Sequence, residues 1–227
     1  MAEFLNSNGF FACTATILAF LLGQQCQKKW KLAILNPILI AAVLMIAFLL
    51  ATGISNAEYQ NGVKFLSFLL TPATISLSVS LYTQVKHLRQ HLGAILAGVF
   101  CGTVSSLLLT WALSSVLGVN EVLRTSLFPK NLTTAIGVAL SGELGGIAGV
   151  TTAAIIATGI LGNIIGPQLA KVFKLKDDIA QGVAYGTSSH VIGTARASAV
   201  SELAGAVSSL SLTIAGVIAC LVLAILL

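Results

Sequence analysis

Residues 185–199 read YGTSSHVIGTARASA, and apolar stretches lie on both sides of them. The run holds His190 and Arg196, with glycines at positions 186 and 193. A charged side chain near the centre of a bilayer costs at least about 2.5 kcal/mol, so it usually faces a cavity or a partner. Glycine, in turn, weakens a helix. The run therefore predicts a broken membrane helix beside a polar site.

The composition of the chain predicts an integral membrane protein. Of its 227 residues, 56% are hydrophobic and only 8% are charged, whereas a soluble domain carries about 25% charged residues. The apolar residues form blocks instead of alternating with polar ones, which favours helices over a β-barrel. We therefore predict an all-α, polytopic protein with a single membrane domain over residues 1–227.

Eight apolar blocks follow one another along the chain. A span needs about 20 residues, and six blocks reach that length. The other two, 10–23 and 131–143, are predicted to be short or re-entrant. The six long blocks are 33–53, 64–85, 92–118, 147–170, 179–200 and 204–227.

Charge predicts the direction of these helices. The net charge is +5, but the lysines lie in short gaps between apolar blocks, which indicates membrane loops and not a nucleic-acid partner. If the basic clusters at 28–31, 86–91 and 171–176 are cytoplasmic, successive long blocks run outward and inward in turn, with 131–143 starting and finishing outside. In this arrangement 92–118 and 179–200 run outward, and 204–227 runs inward.

This topology predicts an inverted repeat of residues 33–118 and 147–227, an architecture common in secondary transporters. The middle helix of each repeat carries the polar residues. In the first repeat Pro72 removes a backbone donor, and in the second the 185–199 run falls in the same place. Both helices are predicted to be discontinuous, with half-helix amino termini that favour an anion.

The predicted substrate site combines these two breaks. Arg196 offers a bidentate contact to a carboxylate, or else extends toward the membrane surface from near the helix end. His190 is expected to bond the substrate or to titrate. The predicted substrate-binding residues are Pro72, Ala73, Thr74, Ser188, Ser189, His190, Gly193, Thr194 and Arg196.

Two further features have two interpretations each. Glu143, among glycines, is either a proton or sodium site or a carboxylate at the water interface; with His190 it is our candidate for ion coupling. The small residues Gly98, Gly102 and Ser106 share a helix face, which packs either a second copy of the chain or a helix of the same chain.

Several runs resemble the LrgB/CidB family of bacterial membrane proteins. They cover most of residues 35–215, and GTSSHVIGTARA at 186–197 is highly specific. The chain departs from the family pattern at Ser80, Thr83 and Ala135. The other runs are LNPILIA at 35–41, LLTPATISLSVSLYTQ at 69–84, LFPKNLTTAIG at 127–137, SGELGGIAGVTTA at 141–153 and TGILGNIIGP at 158–167.

The resemblance implies two functions. Bacterial members are antiholin- or holin-like and are linked to murein hydrolase activity, autolysis and programmed cell death, typically beside a small LrgA/CidA-type membrane protein. Plastid relatives look like glycolate/glycerate translocators, some bacterial relatives are implicated in pyruvate movement, and the family is grouped with cation/proton antiporter-like folds. We expect a secondary transporter for small monocarboxylates, coupled to protons or sodium, or alternatively a holin-like component acting through that partner.

Both functions share several expectations. The protein is predicted to lie in the bacterial inner membrane as a multi-pass homo-oligomer. It is not expected to be an enzyme, since Ser188, Ser189 and His190 are adjacent on a helix and do not face one another. No cofactor or metal ion is expected either, since no pair among the four cysteines has metal-ligand spacing.

Overall fold

The computed structural model describes residues 9–30, 35, 37–69, 71, 72, 75, 79 and 82–226, and no strand occurs among them. The protein is an all-α polytopic membrane protein, as its composition predicts. The chain divides into two compact units, residues 1–76 and 77–227, and each is described by itself.

The first unit is built on two antiparallel helices, α1 (Gly9–Trp30) and α2 (Pro37–Thr52). Gly23 lies against the backbone of Pro37, where a Cβ would come within 2.7 Å of the carbonyl oxygen. At the other end of the pair, the rings of Phe11 and Phe48 are 6.1 Å apart. Two short helices follow, α3 (Asn56–Gly62) and α4 (Lys64–Phe68).

The second unit is larger and contains the polar run. Its helices are α5 (Val85–Gln90), α6 (Leu92–Val116), α7 (Glu121–Leu127), α8 (Thr134–Glu143), α9 (Ala148–Val172), α10 (Asp178–Ser198) and α11 (Glu202–Leu226), with a 3-10 turn at Phe128–Asn131 between α7 and α8.

Four described helices are long and apolar enough to cross a membrane: Phe10–Trp30, Leu92–Val116, Ala148–Val172 and Glu202–Ile225. The prediction of a short segment at 10–23 is therefore wrong, because α1 continues through the polar residues up to Trp30. Conversely, α2 has only 16 residues, fewer than the full span predicted at 33–53. Most of the predicted break in 64–85 lies outside the described residues.

Helix α10 folds back on itself and forms a helical hairpin. We call it the second hairpin, because residues 121–143, described next, form another hairpin earlier in the chain. Ser189 and His190 have non-helical backbone angles, and Gly193 packs on the backbone of Tyr185, where a Cβ would lie 2.5 Å from the carbonyl oxygen. Just beyond the helix, the Ser201 hydroxyl donates to the Asp178 carboxylate at 2.7 Å. Both ends of the segment therefore lie together, and the prediction that 179–200 crosses the membrane outward is wrong.

Residues 121–143 form a matching first hairpin at the opposite end of the unit. Its base is tied to the start of α9, because the Thr151 hydroxyl donates to the Ser126 carbonyl at 2.9 Å and shares a hydrogen bond of 2.6 Å with the Ser141 hydroxyl. Its interior reaches Ile155, against which Gly137 packs. Helix α8 is only ten residues long, as expected for the short block 131–143.

Helices α6 and α11 run in the same direction. Ile95 and Val99, near the start of α6, share a buried apolar cluster with Val207 near the start of α11. Farther along, Leu107 shares a second cluster with Ala219. Because the second hairpin returns to the end at which α9 finishes, α11 starts from that end.

The prediction that 92–118 and 204–227 run in opposite directions is therefore wrong. The inverted repeat of 33–118 and 147–227 required its last helix to run opposite to 92–118, and in the structure the two helices are parallel. The wrong crossing at 179–200 and the wrong relative direction of 204–227 have the same physical reason. A hairpin replaces the crossing helix that was expected at 179–200.

Candidate functional site

The second hairpin turns at two residues, and the turn is held in an unusual backbone conformation. Ser189 has φ −136° and ψ 15°, and His190 has φ 44° and ψ −137°. A positive φ is uncommon for a residue with a side chain and generally costs about 1–3 kcal/mol. The His190 carbonyl at the turn accepts from the Thr194 hydroxyl at 3.1 Å.

The His190 side chain anchors this turn to α9. Its Nε2 lies 2.7 Å from the Ile155 carbonyl oxygen, and since a carbonyl only accepts, Nε2 carries the proton. The ring is 4% exposed and rests on Gly159, where a Cβ would come within 2.5 Å of it. The His190 side chain thus fixes the turn against α9.

Glycines on α9 allow the hairpin to approach closely. Gly162 lies under Ser189, and Gly166 lies under the Tyr185 ring. A methyl group at either position would collide with the hairpin. On the other side of the hairpin, Gly182 and Gly186 lie against the backbone of α11.

The first hairpin brings a cation and an amide toward the same region. The Lys130 ammonium donates to the Thr110 hydroxyl, and the Asn131 side-chain amide donates to the Ser106 hydroxyl at 2.7 Å. After the turn, Thr133 caps the amino terminus of α8 by accepting from the Ile136 N–H at 3.4 Å. The tip therefore combines a positive side chain with a helix amino terminus, both of which favour an anion.

Both tips line one groove of about 730 Å3 within the second unit. Lys130 and Asn131 come from the first hairpin, and Thr187 and Ser188 from the second. Most of the remaining wall is apolar, including Leu109 and Phe173, among others. An apolar groove with a few convergent polar groups is typical of a small-molecule site.

A small cavity of about 10 Å3 lies between the tips. Thr103, Asn131 and Thr187 line it, and the Thr103 hydroxyl is buried with no hydrogen-bond partner among the described residues. This volume is about the size that one water molecule requires. Phe128, Leu132 and Ala219 also line the cavity, so the gap between the two tips has both polar and apolar walls.

The structure gives different surroundings to the residues of the predicted polar run. Ser188 is exposed and lines the groove, with its hydroxyl donating to the Ala184 carbonyl at 2.7 Å. Ser189 and His190 are buried against α9. Thr194 is fully buried and bonds the Ser208 hydroxyl at 2.9 Å, and Gly193 packs within the hairpin.

Arg196 is not brought to the tip. It lies six residues beyond His190, about 9 Å back along the helix, and it lines a separate groove with Lys171 and Lys174. Glu143 is exposed at the carboxyl end of α8, at the base of the first hairpin, which favours its interpretation as an interfacial carboxylate.

The first half of the predicted site is only partly described. Pro72 is helical and exposed in the first unit, while Ala73 and Thr74 lie outside the described residues. The predicted meeting of this segment with Ser188 stays a prediction.

Sequence reasoning missed Lys130 and Asn131 as site residues. The available signal was a Lys-Asn pair directly after Pro129 and at the start of the short apolar block 131–143, a position from which a re-entrant hairpin carries its polar tip inward.

The small-residue face of α6 packs within the chain. Gly98 lies against Val183, and Gly102 lies against Thr187. Of the two interpretations of this face, the structure therefore favours internal packing.

Comparison with known proteins identifies the family. The model of the LrgB-like family matches residues 16–227. The chain is 34% identical over 215 residues to the antiholin-like protein LrgB of Bacillus subtilis (94% of this chain, 93% of the relative). It is 32% identical over 211 residues to the holin-like protein CidB of Staphylococcus epidermidis (93% and 92%). No solved structure matches. The chain belongs to the LrgB-like family.

Proposed function

We propose that this protein is a transporter of small carboxylates in the bacterial inner membrane. The observation that carries the proposal is the groove into which two opposed hairpins present their tips, with Lys130, Asn131 and Ser188 along its wall. Non-helical backbone at membrane depth is tolerated where it is buried in protein or lines a cavity. Two such turns in one unit therefore favour a solute pathway over a purely structural role.

The chemistry of the groove suits a monocarboxylate such as pyruvate or glycolate. The Lys130 ammonium has three donors and uses one of them on Thr110. A carboxylate bound there gains a charge-assisted hydrogen bond, and the apolar wall accommodates a short carbon chain. Coupling to protons or sodium, as in many secondary transporters, belongs to the same proposal.

Uptake by the reconstituted protein tests this function. Purified wild-type protein in liposomes is expected to take up labelled pyruvate or glycolate with saturation. Lys130→Gln removes the charge at the groove, and we expect it to lower uptake by roughly tenfold or more, since hydrogen bonds to charged groups are worth about 1.5–3 kcal/mol.

Arg124→Gln is the matched control. Arg124 lies on α7 of the same hairpin and does not line the groove, so the variant loses the same charge and should keep wild-type uptake. Equal uptake by the Lys130 and Arg124 variants, or no saturable uptake by folded wild-type protein, would contradict the proposal.

The names of the relatives favour a second candidate. They are called antiholin-like and holin-like, which supports a regulatory or pore component acting with an LrgA/CidA-type partner more directly than it supports transport. In that case the protein, alone or with the partner, should release trapped dye from liposomes without saturation. Saturable uptake without dye release separates the transporter from this candidate.

A further inference from the structure

A second groove, of about 390 Å3, lies at the base of the second hairpin. We call it the basic groove, because Lys171, Lys174, Lys176 and Arg196 all line it. Lys171 closes the last turn of α9, and Arg196 comes from the returning half of α10. The hairpin fold thus brings an arginine from one element beside lysines from another.

The positive charge of the basic groove is not balanced by acids. No acidic side chain is among its lining residues in the part of the chain that the structure describes. Asp177 and Asp178 follow Lys176 in the sequence but do not line the groove: Asp177 accepts from the Ala180 N–H at 2.9 Å, and Asp178 accepts from the Ser201 hydroxyl. An anion in the groove therefore contacts basic side chains and no carboxylate.

Arg196 points to the nature of this anion. Its side chain is half-buried, and its Nε is buried without a hydrogen-bond partner among the described residues. A buried donor without a partner is unfavourable, so such groups usually have one. The guanidinium presents its donors in a planar fork that matches phosphate and carboxylate oxygens.

We propose that the basic groove binds the phosphate of an anionic phospholipid, with Arg196 bonding the phosphate and the lysines surrounding it. The wall also has apolar members, Pro167, Ala170, Leu175 and Val200, which suit the glycerol and upper acyl region of a lipid. Basic pockets between membrane helices commonly bind anionic headgroups. This proposal is independent of carboxylate transport, because it concerns a different groove.

Lipid-dependent stabilisation of the full-length protein tests the proposal. Purified protein in a neutral detergent is titrated with phosphatidylglycerol, with phosphatidylcholine, or with inorganic phosphate at matched ionic strength, and its thermal unfolding is followed. We expect phosphatidylglycerol to raise the Tm with saturation and phosphatidylcholine to leave it unchanged. A saturating response to inorganic phosphate that equals the response to phosphatidylglycerol would overturn the lipid and indicate a soluble phosphate-bearing anion.

Two variants and one control locate the effect. Arg196→Gln and the double variant Lys171→Gln/Lys174→Gln should each need more phosphatidylglycerol for half-saturation, by roughly tenfold for the double variant. Lys28→Gln/Lys29→Gln, in the last turn of α1, removes the same charge outside the groove and should respond like wild type. The lysine pair is exposed, so it tests the proposal even if the arginine variant does not fold. An unchanged half-saturation in the lysine variant would overturn it.

Discussion

His190 determines where the second hairpin turns, and its backbone carries the cost of the turn. Its φ of 44° lies where glycine is favoured, yet the position holds a large side chain. The bond from Nε2 to the Ile155 carbonyl and the burial of the ring against Gly159 offset that cost. The glycines of the same run, Gly186 and Gly193, serve close packing instead.

Two substitutions of His190 separate the backbone strain from the side-chain bond. His190→Ala loses the bond to Ile155 and keeps a side chain at positive φ, whereas His190→Gly loses the bond and relieves the strain. We expect the alanine variant to be less stable than the glycine variant by about 1 kcal/mol. The thermal unfolding of both variants in detergent measures this difference. If alanine were as stable as glycine, the strain at this position would be negligible.

The polar run predicts the position of the break well, because its composition conflicts with a continuous apolar helix. Which residue adopts the unusual backbone could not be predicted, since two glycines were nearby and the deciding contact comes from Ile155, 35 positions away. The position of Arg196 could not be predicted from the local sequence either. Its predicted role at the tip assumed a straight helix, and a folded helix carries it back to the base.

Helices α9 and α10 fit together because α9 presents glycines to the hairpin. Gly159, Gly162 and Gly166 lie against the ring of His190, Ser189 and the Tyr185 ring in that order. This order runs opposite to that of α10, as expected for two neighbouring antiparallel segments. The close fit fixes the depth that the tip reaches.

Adding a methyl group on this face should displace the hairpin. In Gly162→Ala the new Cβ would collide with the Ser189 side chain, and overpacking of this kind costs about 1–3 kcal/mol. Gly149→Ala is the matched control, because it lies on the same helix with no atom within 4 Å of the added carbon. There the helix preference of alanine should raise stability by up to about 1 kcal/mol.

Thermal unfolding distinguishes the two glycine positions directly. A fall in Tm for the Gly162 variant with no fall for the Gly149 variant is the expected pattern. Equal effects would mean that the substitutions act through helix propensity alone and that the close packing on Ser189 has little energetic weight.

The sequence could not distinguish a crossing helix from a hairpin at this element. With 21 residues, α10 is long enough for either one. Its many small and polar residues were interpreted as a local break, whereas they extend along both halves and allow each half to pack on α11. The first hairpin was easier to predict, because the block 131–143 is short and the loop charges place its start and its finish on one side. Length alone was misleading at 10–23, where the helix continues to Trp30.

Across the second unit, the basic residues 86–91 and 171–176 lie at one end. Leu88 belongs to the same apolar cluster as Ile179 and Leu203, which places the start of α6 beside the starts of α10 and α11. Loop charge therefore predicted correctly that these two clusters share a side of this unit. It could not predict the direction of α11, because few charges lie near its ends.

Cysteine labelling from each side of the membrane tests this arrangement. In a variant without Cys13, Cys26, Cys101 and Cys220, single cysteines at Lys174 and at Val200 should react with an impermeant reagent from the same side. A cysteine at Leu117, which is exposed after the last turn of α6, should react from the other side. If Val200→Cys reacted together with Leu117→Cys, α10 would cross the membrane and the hairpin would be wrong.

Because each hairpin returns to the end at which it starts, the two hairpins determine how many helices traverse this unit from one end to the other. Among residues 82–226, the long helices that traverse the unit are α6, α9 and α11, an odd number. The start of α6 and the end of α11 therefore lie at opposite ends of the unit. Replacing either hairpin with a single crossing helix would reverse the orientation of everything after it.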